Sequence, residues 1–168
     1  MSECTYRRAP PGPDIVTLRI PVTPRGTDNS DTQNVSLSSL YYIVDSEKPV
    51  SDAARDLEAA VKRHGFGVLH VYDLKQTLKN KGVDLPIECR IFEVCNPQQA
   101  AKVLAADPDL NMALPCRISV YEHSGGTRIG TIKPSELLGL LTAKTELASV
   151  ASTVEDAIRQ MIDEAAAT

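Results

Sequence analysis

Aromatic side chains are scarce in this sequence. It has no tryptophan and two phenylalanines among 168 residues, and aromatics make up 4% of it. Single-stranded nucleic acids bind on stacking platforms of such rings, and here those platforms are poorly supplied. An excess of positive charge is missing too. Lys+Arg number 18 against 22 Asp+Glu, a formal charge of −4, and the pI is near 5.4. That balance argues against a general nucleic-acid binder, which carries a basic patch. No run approaches the ~20 apolar residues a membrane helix needs. The most apolar short stretch, Leu137 to Leu141, contains Gly139. The first residues lack the continuous apolar segment of a secretory signal, which predicts a cytoplasmic location.

Cysteine is sparse: Cys4, Cys89, Cys95 and Cys116. Four in a chain of this length do not make a disulfide scaffold. No CxxC pair and no Cys/His cluster with zinc spacing is present, so no structural metal is expected. The phosphate loop GxxxxGK[ST] and the motifs GxGxxG, GxSxG and HExxH are also absent. The sequence names no cofactor. What remains is ordinary globular material, 42% hydrophobic and 24% charged. A chain of this length buries a core without staples.

Residues 1–36 read as an extension, with Pro10, Pro11, Pro13, Pro21 and Pro24 followed by a polar stretch. Within it Val16, Leu18, Ile20 and Val22 alternate with Thr17, Arg19 and Pro21. A short edge strand and a flexible tail are both open for that segment. A core domain is expected over 37–142, and an amphipathic C-terminal helix over 143–168.

In the core, Leu40 to Val44 is a β-rich run. Ser51 is placed to cap a helix reaching His64, with Gly65 at the position beyond it. Strands follow at Phe66 to Tyr72 and Glu88 to Val94, with a short helix between them from Leu74. Asn96-Pro97-Gln98-Gln99 is a helix start, with Asn as cap, Pro at the first position and Gln at the third. That helix stops near Asp107-Pro108. Pro115 to Glu122 and Thr127 to Lys133 flank the turn Ser124-Gly125-Gly126 as a hairpin. Pro134 opens another helix, and Ser152 to Glu155 reads as the capping box of the last one.

The order β-α-β-(α)-β-α-β-β-α-α predicts an α+β two-layer sandwich, a mostly antiparallel sheet with helices on one face. Strand two looks apolar on both sides, Phe66 and Val68 on one and Leu69 and Val71 on the other. A greasy second sheet face is unusual in a monomer, so a homodimer covering it is expected.

Cys95 precedes the capped helix, where the positive end of the helix dipole favours a thiolate. A plainly buried, apolar thiol is the other reading. Cys116 shares a strand face with Ile118 and Val120, the pattern of a core position. Cys95 and Cys116 both lie at element ends, where they can approach each other. His70 is expected on the Phe66/Val68 face, buried against a backbone carbonyl. Asp73 is placed to cap the short helix after it.

One series of residues carries a resemblance: Gly65-Phe66-Gly67-Val68-Leu69, Asp73, Cys95-Asn96-Pro97 with Ala100 and Leu104, Leu114-Pro115-Cys116, Val120-Tyr121-Glu122 and Pro134. In this order they resemble domain-of-unknown-function family 302, over roughly residues 40–141. The resemblance implies a small α+β fold, commonly dimeric, with no established reaction and no catalytic residue to carry over. The proline-rich segment and the helix after Thr145 fall outside the matched region.

The first functional expectation is a dimeric, cytoplasmic binding or sensing protein without an assigned reaction. Its site would gather Cys95, Asn96, Pro115 and Cys116, with His70 and Asp73 as neighbours and an unidentified small ligand. The second is an interaction module that uses its terminal extensions. The third is a thiol-dependent redox protein using Cys95 and Cys116.

Overall fold

Five strands, each rich in β-branched or aromatic residues, pair into one antiparallel sheet. A computed structural model describes residues 40–167, and the alternating stretch Val16 to Val22 lies outside them. The strands are β1 (Tyr41–Ser46), β2 (Gly67–Asp73), β3 (Cys89–Cys95), β4 (Cys116–His123) and β5 (Gly126–Ile132). The order across the sheet is β1-β5-β4-β3-β2. All four neighbouring pairs are antiparallel. The helices are α1 (Val50–Arg63), α2 (Leu74–Lys79), α3 (Pro97–Ala106), α4 (Pro134–Leu141) and α5 (Thr145–Ala166), with a 3-10 helix at Pro108–Ala113. The fold is α+β, with the element order the sequence implies.

Strand register sorts the two sheet faces. Phe92 pairs with Ile118, Val120 with Ile129, and Val44 with Ile129 from the other side. These side chains point under α1 and α5, where they meet Leu57, Val61, Ile158, Met161 and Ile162. All five of those helical residues are fully buried. Burying each such side chain is worth about 1.5–3 kcal/mol, so this layer dominates the stability of the fold. The opposite face carries Tyr41, Ile43, Ile132 and Tyr72, all substantially exposed. Two cross-strand ion pairs sit among them, Arg128–Asp45 at 2.7 Å and Arg117–Glu93 at 3.1 Å.

The ends of α1 follow local chemistry. Gly65 takes φ +72°, and the Phe66 N–H donates to the Val61 carbonyl while Gly65 N–H donates to Lys62. This is a Schellman close, and it needs a residue free to adopt a left-handed backbone. The other end differs from expectation. The helix begins at Val50 with Pro49 before it, so Ser51 lies inside the first turn rather than capping it. Proline pre-sets a backbone angle suited to that position.

Strand β2 corrects the two-sided pattern. A bulge between Val68 and His70 lets Leu69 drop out of register, so Val68 opposes Val94 and Val71 opposes Phe92. Both valines therefore share the helix-facing side. His70 moves to the open face opposite Glu93, exposed and edge-on to Tyr72 at 4.3 Å. The buried, carbonyl-paired His70 expected from strict alternation is not what the chain adopts.

The last helix is also longer than its capping signal suggests. α5 begins at Thr145, and Ser152 and Thr153 lie in its middle. Thr153 Oγ1 donates to the Ser149 carbonyl four residues back, which satisfies the hydroxyl inside a continuing helix. The C-terminal end of α5 is tied to the first strand. Ser46 Oγ donates to the Ala166 carbonyl at 3.0 Å, and Tyr42 Oη donates to Asp163 at 2.6 Å. Arg159 stacks over the Tyr42 ring at 4.4 Å.

Candidate functional site

Beside the main core lies a second apolar cluster of Val103, Leu110 and Leu147, joined by Leu114, Leu138 and Val150. It is assembled from α3, the 3-10 helix, α4 and the first half of α5. Where it meets the main core, packing is incomplete. A cavity of about 640 Å³ opens there. Phe66, Val94 and Cys116 line it from the sheet side, and Val150, Ala151 and Val154 line it from α5. Met112 and Leu141 line it while being 81% and 53% exposed, so they stand at its mouth.

Four of the six expected site residues line this cavity: Cys95, Asn96, Pro115 and Cys116. Their convergence follows from register. Val94 opposes Cys116 across the β3–β4 pair, so the end of β3 and the start of β4 arrive together. Pro115 precedes β4 through a cis peptide bond with Leu114. Asn96 sits where β3 becomes α3. Its side-chain oxygen accepts from the Gln98 and Gln99 N–H groups, both at 3.1 Å, and its amide donates to the Gly65 carbonyl. Asn96 thus caps α3 and ties it to the end of α1 while lining the cavity.

His70 and Asp73 are not in this group. Asp73 opposes Arg90 at the far end of β3, about 17 Å of strand from Cys95. Its carboxylate accepts from the Gln76 N–H at 2.8 Å, the cap expected for α2. It borders a separate small polar pocket with Lys75, Glu88, Cys89 and Arg90. His70 pairs across to Glu93 on the open face of the sheet.

Cys89, Cys95 and Cys116 are free thiols. Burial pushes Cys116 up to about 11, and the neighbouring Cys95 adds to the rise. Burial raises Cys95 as well. Desolvation therefore outweighs the helix-end field that favours a Cys95 thiolate, because both sulfurs face apolar surroundings. At neutral pH both are protonated, poor nucleophiles and good apolar lining. Among the described residues no group of three His, Cys, Asp or Glu side chains is placed to hold a metal ion.

Several lining residues were not singled out in the sequence. Leu110, Met112 and Ala113 belong to a 3-10 helix, a six-residue element without apolar periodicity. Val150, Ala151 and Val154 follow Leu147 at helical spacing, a signal legible once α5 is started at Thr145.

No helix among the described residues is long and apolar enough to cross a membrane. The family model for a domain of unknown function, DUF302, matches residues 42–165. The matched stretch runs almost to the end of α5, so that helix lies inside the family's region, not after it. The chain is similar to the solved structure of an uncharacterized conserved DUF302 protein from Bacillus stearothermophilus. The two share 34% identity with a TM-score of 0.71, over 75% of this chain and 98% of that one. No curated protein matches the chain.

Proposed function

The chain belongs to the DUF302 family, and from that premise we propose that it is a dimeric, cytoplasmic protein that binds a small ligand in the cavity beside Cys95 and Cys116. The observation that carries this reading is the cavity, about 640 Å³. Small-molecule sites are concave, mostly apolar and about 300–1,000 Å³ in volume. An unneeded void of this size would be costly, since each lost methylene of packing weakens a core.

Thiol chemistry has less support, because both cavity thiols are held protonated by burial. The cysteines serve here as small, polarisable lining. Three free thiols fit a reducing compartment, which supports the cytoplasmic placement. The dimer is supported by the open sheet face, where Tyr41, Ile43 and Ile132 are each about half exposed. Side chains of that size in one contiguous region favour a partner, and an isologous pair of like faces is the commonest solution.

The test is native mass spectrometry of the untagged protein, purified without chelator or oxidant. The expected species is a dimer carrying a reproducible extra mass. An Ala151→Phe variant, which fills the cavity, should lose that mass and remain dimeric. A monomer overturns the dimer, and extra mass retained by A151F overturns the site.

A further inference from the structure

The cavity's chemistry narrows its ligand, on the premise that it binds one as proposed above. Among the described residues Phe66 is the one aromatic that lines it, and the rest of its apolar wall is aliphatic or sulfur-bearing. Flat ring ligands gain most from offset or edge-to-face aromatic contacts, which a single ring supplies poorly. A flexible alkyl chain suits aliphatic walls.

The polar groups at the rim are already spoken for, with two exceptions. Arg117 is paired with Glu93 at 3.1 Å. Asp107 is paired with Lys144 at 3.3 Å and accepts from the Asp109 N–H. The start of α3, which would otherwise favour an anion, has no free backbone donor there. Pro97 lacks an N–H, Gln98 and Gln99 donate to the Asn96 side chain, and Ala100 N–H donates to the Asn96 carbonyl. What is left among the described residues is the Asp109 carboxylate, without an ion pair, and the Gln99 carboxamide, without a side-chain hydrogen bond. The unmatched rim is therefore acidic.

We propose that the ligand is a single-chain aliphatic amphiphile with a hydrogen-bond-donating head, best a primary amine. Its alkyl chain occupies the cavity between Val103, Leu138 and Val154. Its head stays at the rim beside Asp109, partly in water. A fatty acid would meet an unpaired carboxylate and, at the α3 start, no free backbone donor, only the neutral Gln99 carboxamide.

The test is equilibrium dialysis of the full chain at neutral pH and low salt. The probes are decylamine, 1-decanol, decanoate and naphthalene, each below its micelle or solubility limit. Decylamine should bind about fivefold more tightly than decanoate, the scale set by one solvent-exposed charge contact. D109N, which alters a side chain without folding partners, should bring the two within about twofold of each other. Decanoate binding as well as decylamine overturns the head-group assignment and leaves the cavity as a binding site. Naphthalene binding more tightly than decylamine overturns the aliphatic class on the same terms. Failure of every probe to bind overturns this assignment and the binding reading beneath it.

Discussion

The main core and the second cluster are built from the same aliphatic residue types and share one helix, yet they pack to different ends. In the main core Leu57, Val61, Ile118, Ile129, Ile158, Met161 and Ile162 have essentially no exposed surface. The second cluster has three buried members, Val103, Leu110 and Leu147, and leaves Met112, Leu140 and Leu141 largely in solvent. The sheet explains the difference. Its strands fix a hydrogen-bonded layer onto which α1 and α5 close. Beyond the end of β3 the short α3, the 3-10 helix and α4 pack on the first half of α5 and leave a cavity between them and the main core. One region is filled, and the other leaves a cavity of about 640 Å³.

The first way to break this comparison is a large-to-small change in the filled region. Ile158→Ala should lower unfolding free energy by about 2–5 kcal/mol in urea titration, because surrounding side chains cannot collapse around it. A loss under about 1 kcal/mol would mean the main core is looser than its burial implies. The second is one substitution made in both regions. Ala60→Leu, in the main core, should cost about 1–3 kcal/mol through overpacking. Ala151→Leu lines the cavity and should cost little, since the added methylenes enter open space. Equal costs would show that the cavity wall cannot accept a larger side chain.

The smallest effect concerns Cys116, where the two regions meet. Its thiol is held up to about 11 in the folded chain, from an ordinary value of 9.0. Between those values the unfolded chain has lost the proton and the folded one keeps it. Stability therefore falls as pH rises from about 9 to about 11, and is unaffected below that window. Cys116→Ala should flatten this limb of a stability-against-pH curve. An unchanged limb would place the Cys116 sulfur in water.

The parts legible in the sequence were those decided within a few residues. Asn96-Pro97 and Asp73 announce helix starts by their own side chains, and Gly65 closes α1 because a left-handed backbone is required there. The hairpin at Ser124-Gly125 is similar, with φ of 51° and 83°. The failures were of another kind. The bulge at Leu69 leaves no mark in the alternation, and one extra residue sends His70 to the other face. Ser152 and Thr153 carry a cap's chemistry, but a hydroxyl inside a helix can bond four residues back as well as to a helix start. For the cavity, the sequence put Cys95 and Cys116 at element ends and left their approach open. It did not show the void, because four helical segments distant in the chain enclose it.

The ties between β1 and the end of α5 have a consequence for synthesis. Tyr42 and Asp163 are 121 positions apart, and Ser46 and Ala166 are 120. A nascent chain that has reached Leu141 already holds all five strands and α1, yet one side of its sheet lacks Ile158, Met161 and Ile162. Contacts this distant must wait for the intervening chain, and topologies that depend on them fold slowly. Until α5 has been made, the sheet face that Ile158, Met161 and Ile162 cover stays open, and closing it falls to that helix.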